Sequence, residues 1–164
     1  MTLLKFLPAV AVVALLFGVV TILFMLRARS MRVLAAKLGF QYVGPRAPSF
    51  WGFYIFRKVK PPVPLPQACH LVGGIRQVWN VIEGQQNGAS VLIFDSVIWG
   101  RTYCTFIACQ TERNPFGMDI SPDRVIQSGG WTVLYRIRWL QIIPRSMSIQ
   151  RLDDHVNKLR SGSV

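Results

Sequence analysis

Residues 75–111 read IRQVWNVIEGQQNGASVLIFDSVIWGRTYCTFIACQT, and this stretch decides the fold. Asn87-Gly88 separates two β-rich runs and suits a two-residue hairpin turn, because both residues tolerate positive φ. The first run covers 73–83, with Ile75, Gln77, Trp79 and Val81 on one face and Val78, Asn80 and Ile82 on the other. The second covers 90–99. Gly100-Arg101 then turns the chain into a third run, 102–111. There Tyr103, Thr105, Ile107 and Cys109 alternate against Cys104, Phe106 and Ala108. Alternation at period two is strand geometry, so the stretch is expected to fold as a three-stranded antiparallel meander.

Toward the C-terminus, residues 113–130 contain Pro115, Gly117, Pro122 and Gly129-Gly130 and read as a loop, with a short edge element at 124–127. A fourth strand follows at 131–140. It sets Trp131, Val133, Tyr135, Ile137 and Trp139 against Thr132, Leu134, Arg136 and Arg138, the pattern of a half-buried antiparallel strand. After Pro144, Ser146 or Ser148 can cap a helix through Arg160. Its apolar stripe of Ile149, Leu152, Val156 and Leu159 needs a partner, and the sheet supplies one.

Toward the N-terminus, Lys60-Pro61-Pro62-Val63-Pro64-Leu65-Pro66 is held extended by four prolines and reads as a stiff spacer. Lys58 followed by Pro61 and Pro64 also fits a basic-x-x-Pro-x-x-Pro ligand pattern. Residues 40–56 are aromatic-rich, with Trp51 to Phe56 as a strand candidate. Residues 28–39 keep helical spacing through Met31, Leu34, Ala35 and Leu38, with Gly39 as a stop. They either extend the preceding helix or form a short docking helix.

That preceding helix is the run Phe6–Leu26, 21 residues without a charge, 18 of them apolar. As a helix it is roughly 31 Å long, close to bilayer hydrocarbon thickness. A signal-peptide core is shorter and is followed by small residues, whereas this run ends Phe24-Met25-Leu26-Arg27. Lys5 and the terminal amine flank one side. Arg27, Arg29, Arg32 and Lys37 flank the other, which the positive-inside rule keeps cytoplasmic. These four residues are the expected topology determinants and candidate contacts for anionic headgroups. The expected product is a single-pass protein of the cell (plasma or inner) membrane, with its N-terminus outside and its C-terminal domain cytoplasmic.

The fold class expected is therefore α+β: a transmembrane anchor over 1–27, a juxtamembrane helix, aromatic segment and spacer over 28–66, and an α+β domain over 67–162. The anchor explains much of the 51% hydrophobic content. Without the first 26 residues, 63 of 138 residues are apolar, an ordinary globular share. That remainder carries 18 basic and 7 acidic side chains. The charges are scattered, with no recognition-helix or zinc-finger spacing, so no nucleic-acid partner is expected.

The segments Asn80-Val81-Ile82-Glu83-Gly84, Val91-Leu92-Ile93-Phe94-Asp95, Gly100, Gln110-Thr111 and Trp131-Thr132-Val133-Leu134-Tyr135-Arg136 resemble a group of bacterial proteins. In that group a membrane helix precedes a small antiparallel sheet domain. The resemblance covers about residues 70–160. Where tyrosines often follow the Phe-Asp pair in that group, this chain has Ser96 and Ile98. The resemblance implies a fold and supplies no activity.

Chemistry-bearing residues are sparse. Cys69, Cys104 and Cys109 form no C-x-x-C pair, and Cys104 and Cys109, five apart on one strand, point to opposite faces. Cys69-His70 are neighbours whose side chains diverge. His155 borders the terminal helix's apolar stripe. Counting back from the turn sets Glu83 opposite residue 92 rather than Asp95, so a strand aspartate paired with an arginine is expected in place of a catalytic acid pair. The glycine doublets lack phosphate-loop spacing. No catalytic residue, cofactor or metal is assigned. Trp79, Trp99, Trp131, Tyr135 and Trp139 are expected mainly in the core, with base stacking and a membrane interface as the other readings. The function expected is a non-enzymatic binding or scaffold module at the membrane, engaging a protein partner or the lipid surface. A membrane-tethered hydrolase, with a polar cluster around Glu83, Asp95 or His70, is the alternative.

Overall fold

A computed structural model describes residues 6–44, 64–98, 102–111, 124–137 and 148–161. The chain begins with one 32-residue helix, α1 (Leu7–Leu38). A proline in its first turn costs no hydrogen bond, since the first helical amides have no intrahelical partner. Gly39 ends it in the left-handed region at φ 71, with its N–H and that of Phe40 donated to the carbonyls of Ala36 and Ala35. Residues 28–39 thus continue the long helix rather than forming a separate one. The division expected at residue 27 falls inside this helix.

An antiparallel sheet follows. Its strands are β1 (Gln41–Gly44), β2 (Ile75–Gln86), β3 (Ala89–Ile98), β4 (Thr102–Cys109), β5 (Arg124–Ser128) and β6 (Trp131–Ile137), in spatial order β1-β2-β3-β4-β6-β5. Two short helices complete the described fold, α2 (Gln67–Leu71) before β2 and α3 (Ile149–Ser161) at the end. The meander lies where the sequence places it, with Asn87 and Gly88 both at positive φ in its first turn. The edge element at 124–127 is β5. Ser148 caps α3, its Oγ accepting from the Arg151 amide at 3.3 Å.

Two expectations about faces are corrected. Strict alternation puts Trp79 and Val81 together, yet Trp79 pairs with Asp95 and Ile82 with Ile93, so β2 carries one extra residue between them. Asn80 absorbs it at φ 51, a β-bulge conformation that asparagine tolerates better than most side chains. The bulge carries Trp79 and Ile82 to one face and Val78 and Val81 to the other. Secondly, β6 is not half-buried: Thr132 and Leu134 are as inaccessible as Val133, and Arg136 is only 8% exposed.

The sheet therefore has two cores. On one face Ile82, Val91, Ile93, Ile107 and Leu134 meet Met31, Leu34 and Ala35 of α1 and Leu152 and Val156 of α3. On the other, Val78, Val81, Phe94, Phe106, Val133 and Tyr135 pack with Ala68 and Cys69 of α2. Phe94, Phe106 and Tyr135 stack in series there. Cys104 and Cys109 fall in opposite cores, as their spacing predicts. Neither β1 nor α2 was legible in the sequence. Residues 51–56, 99, 100 and 139, and most of the proline segment, lie outside the described residues.

The first twenty residues of α1 behave differently from the rest. Leu7, Val10, Leu15, Leu16, Ile22 and Met25 are among its widely exposed side chains, while Met31, Leu34 and Ala35 are fully buried. One helix in the described chain is long and apolar enough to cross a membrane, and it is α1.

Candidate functional site

Helical spacing puts Phe24, Arg27, Met31, Ala35 and Leu38 in one stripe. That stripe faces the sheet. At its centre, Arg27 meets Asp95 of β3, which is 2% exposed. Every acceptor position of this carboxylate is engaged. Oδ1 accepts from Arg27 Nη2 at 3.0 Å and Thr105 Oγ1 at 2.7 Å, and Oδ2 from Arg27 Nε at 3.1 Å and Asn80 Nδ2 at 2.9 Å. The two-pronged arginine contact is the strongest geometry available to a carboxylate. The β2 bulge explains the asparagine's reach, since Asn80 sits at the extra residue.

The network continues outward. Tyr42 of β1 donates its hydroxyl to Asn80 Oδ1 at 2.9 Å, and the Arg32 guanidinium lies over the Tyr42 ring, 5.4 Å from its centroid. Burial raises the Tyr42 phenol above its ordinary pKa, against a lowering influence of Arg32. In the strand register Arg136 is the neighbour of Thr105, on the same face as Asp95. Above the network, toward the N-terminus of α1, Phe24 packs edge-on against Trp79, with centroids 6.1 Å apart. Below it, Lys37 forms an ion pair with Asp153 of α3.

The four expected topology residues are thus dispersed. Arg27 is held by Asp95, Arg32 covers Tyr42, Lys37 pairs with Asp153, and Arg29 is exposed. The aspartate–arginine pair anticipated for Asp95 is present, with Arg27 as the arginine.

The other candidates are not gathered into a site. Glu83 is exposed and pairs with Leu92 in the register, as the count from the turn predicts. His70 is exposed on α2, across the sheet from Asp95. Cys69 is fully buried, and burial pushes its thiol up to about 12, so it stays protonated and unreactive near neutral pH. His155 is buried on α3 beside the apolar stripe. Of the tryptophans, Trp79 is a core residue and Trp131 packs partly buried on the second core. Among the described residues, no group of three or more His, Cys, Asp or Glu could hold a metal.

The arrangement is a clamp. A carboxylate with four donors and no water-facing edge has nothing left to offer a substrate proton, but it fixes the helix to the sheet in rotation and register. No family model, curated protein or solved structure matches the chain. The resemblance at the hairpin accordingly transfers no residue role to it.

Proposed function

We propose that this chain is a single-pass membrane protein whose sheet domain is docked directly on the cytosolic continuation of its own membrane helix. It acts there as a binding or scaffold module for a protein partner or the membrane surface. The observation that carries this reading is the division of labour within α1. Its first twenty residues are uncharged and mostly exposed, and beyond Arg27 one stripe, Met31, Leu34 and Ala35, enters the sheet's core. A helix committed at one end to the domain core is poorly suited to removal as a signal sequence. Exposed apolar side chains over some 30 Å need a nonpolar solvent, and hydrocarbon is the solvent that matches their length.

The positive-inside rule supports an outside N-terminus. The test uses the full chain in a bacterial membrane, with a cytosolic-active or an export-active reporter fused after Val164. Activity of the first and silence of the second, in an alkali-resistant membrane fraction, is expected. Arg29 is exposed, so Arg29→Glu weakens the topology signal without touching the clamp and should raise the export-active minority. Recovery of the full chain in the soluble fraction would overturn the anchor itself.

A further inference from the structure

The four basic residues after the apolar run differ in how far their charge is matched. Arg27 is met by Asp95 and Lys37 by Asp153. Among the described residues, neither Arg29 nor Arg32 has a carboxylate partner. Arg32 rests on the ring of Tyr42, a neutral contact that leaves its charge in place. Two residues turn a helix by about 200°, so Arg29 points away from the sheet that Arg27 faces. It is exposed, and so are the residues in line with it, Ile22 and Met25 before it and Val33 and Ala36 after it. Arg32, also exposed, flanks that line.

The rise of the helix sets the depth of each arginine. Arg29 follows Leu26 by three residues, about 4.5 Å, within the polar layer of about 5–7 Å that borders the hydrocarbon on each side. Arg32 starts about 9 Å out, but helical side chains lean toward the N-terminus, here back toward that layer. The sheet domain holds it in place. The Tyr42 hydroxyl reaches Asn80, and Asn80 reaches the carboxylate that clamps Arg27. The ring under the Arg32 guanidinium is thus tied to the innermost charge of the helix.

We infer that Arg29 and Arg32 form a site for the headgroup of an anionic phospholipid, on the side of α1 that the sheet leaves open, with Tyr42 positioning Arg32. This rests on the membrane reading of α1. The occupant is lipid because the exposed apolar side chains just before Arg29 on this face, Ile22 and Met25, lie in the run that matches the hydrocarbon. A second copy on the same face would set Arg29 against Arg29, and like charges oppose such a contact.

The full chain is reconstituted in phosphatidylcholine vesicles at low salt, with a trace of spin-labelled phosphatidylglycerol or phosphatidylcholine. The share of each labelled lipid slowed at the protein surface gives a selectivity ratio. Attraction to an anionic surface is up to about fivefold per arginine. Wild type should favour phosphatidylglycerol at least threefold, and Arg29→Gln with Arg32→Gln should bring the ratio close to one. Lys37→Gln, about 16 Å beyond Leu26, should leave it unchanged. Tyr42→Leu should lower the ratio, whereas Tyr42→Phe keeps the ring and should preserve it. Arg29→Gln alone alters a side chain clear of the sheet and should lower the ratio with the fold intact. If the double variant keeps the wild-type ratio, the preference arises elsewhere and the inference fails with the anchor intact. If neither lipid is slowed, the anchor reading fails too. Val33→Cys tests for a second copy, since Val33 is 62% exposed on this face and the three native thiols are buried. Prompt and complete disulfide-linked dimers would give the face to another chain and overturn the inference.

Discussion

At the scale of single residues, Asp95 is the most consequential side chain in the described structure. Removing one member of a buried ion pair costs more than the pair is worth, because the other charge stays behind without compensation. Asp95→Ala leaves Arg27, Asn80 and Thr105 all aimed at an absent acceptor. A loss of about 3–5 kcal/mol is expected in unfolding of the full chain in detergent. The double change Asp95→Leu with Arg27→Met should recover most of that loss, since an apolar pair of similar volume leaves no charge behind. Equal destabilisation by the single and double variants would show that the clamp contributes packing alone.

Charge reversal at Arg27 cannot serve as a pure topology probe, because it sets two carboxylates against each other. The pairing of Asp95 with some arginine was legible in the sequence. Which arginine was not, because 68 residues separate the partners. The stripe spacing from Phe24 through Arg27 to Met31 is the signal that singles out Arg27 from Arg29 and Arg32.

Cys69 gives a second prediction at this scale. Its ordinary value near 9 is raised to about 12 by burial. Below pH 9 both folded and unfolded chains hold the proton. Between 9 and 12 the unfolded chain ionises while the folded one resists, so stability falls as pH rises. Cys109, also raised by burial, acts in the same direction. Measured from pH 8 to 10.5, unfolding free energy should decline less steeply in Cys69→Ala than in wild type. Parallel slopes would place the thiol in contact with water.

At the scale of elements, the corner from α1 into β1 depends on one close approach. The Phe40 ring lies across Gly84 of β2, and a Cβ there would meet ring carbons at 2.2 and 2.3 Å. Those are the Cδ1 and Cγ atoms, near the root of the side chain, so the ring cannot swing aside without leaving its site in the α1-facing core. Gly84→Ala is expected to destabilise by about 1–3 kcal/mol, and Gly84→Ala with Phe40→Leu to be milder than Gly84→Ala alone. Thermal melting of wild type and the two variants reads this directly.

The same corner shows why β1 escaped the sequence reading. Gln41–Gly44 is four residues long, carries no full alternation, and is specified by its pairing with β2 instead. The β2 bulge escaped for a related reason. Period-two counting assumes one residue per step, and only the left-handed Asn80 reveals the extra one. The meander itself was legible because its turn chemistry and its alternation agree, and β6 misled because Arg136 and Thr132 read as outward although α1 and α3 cover that face.

At the scale of the whole molecule, the long apolar helix and the sheet pack as one unit, and a boundary drawn by hydropathy at residue 27 falls inside that helix. The consequence is measurable in where the chain can be cut. A fragment beginning at Arg27 keeps Met31, Leu34, Ala35 and the Asp95 clamp and loses the Phe24–Trp79 contact. It should unfold cooperatively, with a midpoint lowered by several degrees, as expected for about 1 kcal/mol in a domain of this size. A fragment beginning at Gly39 loses all three buried side chains and leaves Asp95 without its cation. Burial of a leucine or methionine contributes about 1.5–3 kcal/mol each, and the unpaired carboxylate costs about 3–5 more. The sum is comparable to the entire stability of about 5–15 kcal/mol that a domain possesses. The shorter fragment should therefore show no cooperative melt and no near-ultraviolet dichroism, while the longer one shows both. If the fragment from Gly39 melts as sharply as the fragment from Arg27, the second half of α1 is a passenger on the sheet, and the unity of α1 and sheet is disproved.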